Sequence, residues 1–150
     1  MGSPLTQWLA ALCLTCTLAY PLPAHSKTKT ITLAQATTKL SRTEIDLPRL
    51  FRSEITRQLQ TIEFQQVRQD EALVLSASLV ELETLRTGNR AKSSCVVSAT
   101  LRKKNGGALV AILRGKARAE DAFSAKSENE IAALRAAVRS TLRGIPTALP

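Results

Sequence analysis

Two runs of alternating apolar residues meet at Asn105-Gly106-Gly107, so residues 94–118, SCVVSATLRKKNGGALVAILRGKAR, are expected to fold as a β-hairpin. Cys95, Val97, Ala99 and Leu101 share one face of the first strand; Leu109, Ala111, Leu113, Gly115 and Ala117 share one face of the second. That is the period of two of a sheet with one buried side. A two-residue Asn-Gly turn would set Leu101 against Val110 and Val97 against Arg114, mixing charge into the apolar face. A three-residue loop, Asn105-Gly106-Gly107, instead sets Leu101 against Ala111, Ala99 against Leu113 and Val97 against Gly115. Because a slip of one residue turns every side chain to the other face, the second register is the one expected. Gly107 then takes the left-handed position that closes such loops.

The same region concentrates the charge. Between Glu83 and Glu120 stand nine cations and no acid, while the remaining twelve cations balance the twelve acids, so this segment carries the whole net charge of +9. In the expected register Arg114, Lys116 and Arg118 point away from the apolar face, opposite Ser98, Val96 and Ser94. A loop bearing Arg86, Arg90 and Lys92 enters at the same end, and these six cations form the candidate anion-binding set. Arg102, Lys103 and Lys104 lie at the tip. Same-face neighbours are about 7 Å apart, inside a Debye length of roughly 8 Å at physiological salt, so their fields add.

Residues 8–20 form an uncharged, largely apolar run, too short for the roughly 20 residues of a membrane-spanning helix. The run fits the core of an export signal with small residues near Ala24 and Ser26, although no Lys or Arg precedes it. Residues 1–26 are therefore read as a signal peptide and 27–150 as one domain, with no integral span after cleavage. Cys13 and Cys16 lack the small residues that lipoprotein processing requires ahead of its cysteine. Beyond residue 26 the chain has no His, three Phe as its aromatics, and Cys95 as its one thiol, so no internal disulfide can form. Cys95 on the apolar strand face reads as a small buried hydrophobe.

Residues 27–39 are Thr-rich and supply one short strand at most. Leu47, Leu50, Phe51, Ile55, Leu59 and Ile62 then recur every three or four residues, one stripe of a helix with Pro48 in its first turn. Arg49, Arg52, Arg57 and Gln58 fall on its solvated side. Residues 63–69 suggest a short edge strand and residues 71–85 a long one, with Leu73, Leu75, Ala77 and Leu79 on one face. The apolar parity changes to Val80 and Leu82, which predicts a bulge or strong twist near Leu79. Glu81 and Glu83 then share a face, where pairing with Arg86 or Lys92 explains them better than metal or acid-base chemistry. A last helix starts at a Ser127–Glu130 capping box, buries Ile131, Leu134, Val138 and Leu142, and stops at Gly144 and Pro146.

Strands joined by short loops and two amphipathic helices predict an α+β two-layer sandwich: an antiparallel sheet of three to five strands with both helices on one face. The pattern LPRLFRSEITRQLQTIEFQQV, followed by DEALVLSASLVELE and a Gly-turned hairpin, resembles small envelope domains of Gram-negative bacteria. These include the N-terminal domain of TolB, curli-secretion lipoproteins and auxiliary lipoproteins of transport systems. The resemblance covers residues 47–120 and rests on hydrophobic pattern; it implies a periplasmic, non-catalytic accessory role and carries over no functional residue.

Enzyme classes are disfavoured by composition. With no His after residue 26, a Ser-His-Asp or Cys-His site cannot be assembled, and neither a G-x-S-x-G elbow nor a phosphate-binding glycine motif occurs. Metal ligation by thiol or imidazole lacks the ligands, and no cofactor is expected. The expectation is an exported, periplasmic or extracellular, non-enzymatic accessory domain that contacts an envelope protein; the alternative is an anionic-ligand binder using the six cations. Nucleic acid is the weakest partner, since the basic face has no aromatic on which bases could stack.

Overall fold

The structure, a computed structural model, describes residues 31–40, 45–62 and 72–149. The expected leader at 1–26 and short strand at 63–69 lie outside these residues. The order is β1 (Ile31–Thr38), α1 (Leu47–Thr61), β2 (Leu73–Thr87), β3 (Arg90–Lys103), β4 (Leu109–Ala122), a 3-10 turn at Phe123–Ala125, α2 (Lys126–Leu142) and a short α3 (Ile145–Ala148). One four-stranded sheet runs β1-β2-β3-β4. β2, β3 and β4 form the expected antiparallel meander. β1 differs: it pairs in parallel with β2, because α1 carries the chain back across the sheet, as parallel pairing requires. The α+β two-layer architecture holds, with a mixed sheet.

α1 begins where the sequence says it should. Asp46 Oδ1 accepts from the Arg49 N–H at 3.2 Å, and Pro48 occupies the first turn. Leu47, Phe51 and Ile55 are buried, with Leu50, Leu59 and Ile62 packed at the margin of the core. α2 buries Ala133, Leu134, Ala137, Val138 and Leu142 against β3 and β4, at about 2 kcal/mol for each fully buried large side chain. Its ends depart from expectation. The helix starts at Lys126 out of the 3-10 turn, and the Glu130 carboxylate, instead of closing a capping box, accepts from the Thr84 hydroxyl at 2.7 Å. Gly144 is right-handed (φ −73°, ψ −14°), and Pro146 sits in the first turn of α3, where its missing N–H costs nothing, so the chain turns into a second short helix instead of stopping.

The hairpin register is the expected one: Leu101 faces Ala111, Ala99 faces Leu113 and Val97 faces Gly115. It is reached by another loop. Lys103 N–H donates to the Ala108 carbonyl at 2.8 Å, enclosing residues 104–107, with φ +81° at Gly106 and +65° at Gly107. A bulge that leaves Val110 as the extra residue then restores the register. In β2 the foreseen bulge lies between Leu79 and Glu81. Val80 is its extra residue and is 53% exposed, so it does not share the buried side with Leu82. β4 and α2 approach closely at Gly115, where a Cβ would sit 2.5 Å from the Ala137 carbonyl oxygen. Among the described residues no helix is long and apolar enough to cross a membrane.

Candidate functional site

Both long helices lie on one side of the sheet, which leaves the other side as the natural place for a ligand or partner. Its side chains follow from strand pairing. Across β4, β3 and β2 the rows read Arg114–Ser98–Ser78, Lys116–Val96–Glu81, Arg118–Ser94–Glu83 and Glu120–Lys92–Leu85. Arg114, Lys116 and Arg118 therefore stand together on the open face in the expected register. Lys92 joins them, not from a loop but from β3, since β2 and β3 run on to a tight Gly88-Asn89 turn with positive φ at Gly88 alone. Arg90, also on β3, is held by Glu120 at 3.3 Å.

Arg86 does not belong to the set. It pairs with Ala91, whose side chain is buried under the helix layer, so Arg86 emerges on the opposite side of the sheet. There its guanidinium lies 4.2 Å from the Phe123 ring centroid, and Nε donates to the Gly88 carbonyl at 3.0 Å. The expected convergence of six cations is thus one of five, because the bulge at Val80 sets the face of every β2 residue after it. Arg102 is turned to the hairpin loop, donating to the Gly107 carbonyl at 3.1 Å.

The strand order also brings in what linear charge counting missed. Glu81 and Glu83 of β2 lie two strands from Lys116 and Arg118, about 10 Å across the sheet. Together with Leu85, Lys92 and Ser94 these residues line an open groove of about 320 Å³. Ser94 Oγ donates to Glu81 Oε1 at 3.4 Å, and Val96 beneath Lys116 and Glu81 is only 1% exposed despite facing away from the helices. Of the two partners expected for Glu81 and Glu83, Arg86 is on the other side of the sheet, while Lys92 lines the same groove as both carboxylates. With Glu120 counted, three carboxylates stand among five cations. The sequence signal for this was available in the i, i+2 spacing of Glu81 and Glu83 past the bulge.

Away from the groove, hydroxyls and exposed apolar side chains share the open face: Ser78 and Ser98 with Val80 and Ile112, the last 67% exposed. Cys95 faces the helices, and burial, helped by the charge of Glu81, pushes its thiol up to about 12, so it stays protonated and inert. Among the described residues no three His, Cys, Asp or Glu side chains gather as a metal site.

No protein-family model matches the chain, and comparison with curated proteins finds no match. Solved structures do share its fold. A hypothetical protein from Chlamydia trachomatis is similar over 79% of this chain and 98% of its own, at 11% identity and a TM-score of 0.51. A minor lipoprotein from Acinetobacter baumannii is similar over 77% of this chain and 91% of its own, at 10% identity and a TM-score of 0.50. A DUF330 protein from Xanthomonas campestris matches more loosely, over 85% and 86% at 13% identity and a TM-score of 0.48. At such identities the likeness is one of fold.

Proposed function

We propose that the chain is a non-enzymatic accessory domain of the bacterial envelope that acts by contacting another protein through the open face of its sheet. The observation that carries this reading is the composition of that face. Lys116 and Arg118 of β4 stand across the sheet from Glu81 and Glu83 of β2, Glu120 lies beside Lys92, and Val80, Leu85 and Ile112 are exposed on the same face. A surface of mixed sign with scattered apolar anchors suits a protein partner, whose own charges and apolar groups can be matched one by one. A uniformly anionic surface would meet repulsion from Glu81, Glu83 and Glu120. Export is supported by the uncharged run at residues 8–20, and an envelope setting by the lipoprotein among its structural neighbours. A non-catalytic role is supported by the lack of His beyond residue 26 and by a single, buried thiol.

The test is site-specific photocrosslinking of the full chain in its native envelope, with the reactive residue at Val80 on the open face or at Ala132 on the exposed side of α2. The expected result is a discrete protein adduct from Val80 and none from Ala132. Equal labelling at both positions, or an adduct from Ala132 alone, would overturn the reading. A second reading, binding of an anionic lipid or lipopolysaccharide by Arg90, Lys92, Arg114, Lys116 and Arg118, is favoured by the excess of cations at that end of the sheet. It requires binding that weakens steeply with salt and is lost when Arg114, Lys116 and Arg118 are replaced by Gln.

A further inference from the structure

β4 is an outer strand, and among the described residues nothing pairs with its free side. The phase of its hydrogen bonding is set at both ends. Lys103 N–H donates to the Ala108 carbonyl at one end, and Phe123 N–H donates to the Asn89 carbonyl at the other. Residues of an antiparallel ladder alternate between bonding their neighbour and pointing away from it. Leu113, Gly115, Ala117 and Ala119 therefore bond β3, while Ile112, Arg114, Lys116 and Arg118 direct N–H and C=O outward. The outward series closes at Ala122, whose N–H donates to Asp121 Oδ1 at 2.7 Å.

The outward-bonding residues are also the cationic ones on the open face, and this decides what could pair there. Any antiparallel pairing of two copies that keeps the helices on one side and is centred between Arg114 and Arg118 sets cation against cation, which disfavours self-association. An acidic strand meets the opposite situation.

We propose that β4 receives an extended acidic segment of a partner protein as a fifth strand, with acidic side chains at alternate positions opposite Arg114, Lys116 and Arg118. This rests on the reading that the sheet contacts a protein, and specifies the segment it contacts. The intervening positions of the added strand lie on the helix side, opposite Gly115 and Ala117. There α2 has its Arg135 side turned to α1, where Arg135 meets Glu54. The flank of α2 bordering β4 presents the exposed, small Ala136 and Ser140. The segment therefore reads acidic–apolar–acidic–apolar–acidic: main-chain bonds supply affinity and the alternation supplies selection.

The probes are two fluorescent peptides of one composition added to the full chain, one alternating Glu with Val and the other with its Glu residues grouped at one end. Amide hydrogen exchange is followed in parallel. The alternating peptide is expected to bind about tenfold more tightly, and to slow exchange at the amides of Arg114, Lys116 and Arg118. Lys116→Pro, which removes one outward N–H and is tolerable on an edge, should abolish both effects. Lys116→Glu, which leaves the backbone intact, should abolish preference for the alternating peptide. Equal binding of the two peptides, no binding, or binding without protection of those three amides would overturn the proposal, as would displacement of the peptide by anionic phospholipid vesicles. If Val80 crosslinks to a protein while the amides stay unprotected, the edge assignment falls and the open-face reading stands.

Discussion

At the scale of single residues, Glu54 shows how a charged side chain can be structural. It is 4% exposed, yet it accepts from Arg57 Nη2 at 2.6 Å, Arg57 Nε at 3.2 Å and Gln58 Nε2 at 3.1 Å, with Arg135 Nε of α2 at 3.7 Å. Burial pushes its carboxyl upward, but the bonds from Arg57 and Gln58 and the charges of Arg57 and Arg135 outweigh this and hold it below the ordinary 4.5. A lowered folded-state value means that the carboxylate stabilises the fold above the unfolded value and loses this contribution as pH falls through the folded one. Glu54→Gln should therefore cost about 1–3 kcal/mol at neutral pH. The difference should shrink as pH drops below 4.5, read as urea midpoints of the two proteins across an acid series. Parallel acid profiles would show that the charge of Glu54 is not what joins α1 to α2. Helical periodicity places Arg57 and Gln58 on a solvated side because it sorts residues only as apolar or polar. Their spacing of three and four from Glu54 is the pattern that marks the cluster.

At the scale of elements, what was legible depended on whether a strand alternates. Both arms of the β3–β4 hairpin carry an unbroken uncharged series on one side and cations on the other, so their register follows from side chains even though the loop is a different one, corrected by the Val110 bulge. β1, ITLAQATT, has too few large apolar residues to declare its direction; α1, acting as a crossover, decides it. The β2 bulge was visible as a change of parity, but not which residue it ejects. That choice governs the face of Glu81, Glu83 and Arg86, and so the membership of the candidate site. Because Val80 is the extra residue, deleting it leaves Leu79 and Leu82 on the buried side and Glu81 on the open side in an unbroken ladder. Val80 deletion is therefore expected to keep the fold with a stability change of about 1 kcal/mol or less, at the cost of local twist. Deleting Ser98, in the middle of β3 where no extra residue is present to absorb the loss, turns either Ala99 and Leu101 or Cys95 and Val97 away from the helices, so that chain should not fold cooperatively. Thermal unfolding followed by circular dichroism distinguishes the two, and comparable melting of both deletions would refute the assignment of Val80.

At the scale of the whole molecule, the question is how much of the net charge of +9 a distant anionic surface would feel. Counting along the chain, residues 84–119 look uniformly basic. Folding pairs that segment with β2 and sets Glu81 and Glu83 beside Lys92, Lys116 and Arg118, while Glu120 engages Arg90. Five cations against three carboxylates leave an excess of two at this end of the sheet. Each net cation near an anionic membrane raises binding by roughly fivefold, so two are worth roughly thirtyfold, a weak attraction at physiological salt. The chain is accordingly expected to sediment poorly with vesicles containing anionic phospholipid at physiological ionic strength. Replacing Glu81 and Glu83 by Gln should raise that binding by roughly thirtyfold through the same relation, with no change on neutral vesicles. The carboxylates would then be acting as a filter, weakening nonspecific adsorption while leaving the cations free to meet acids placed opposite them by a specific partner. Strong binding of the parent chain, unchanged by the double substitution, would instead mean that the groove carboxylates are electrostatically silent and that the membrane surface is the ligand.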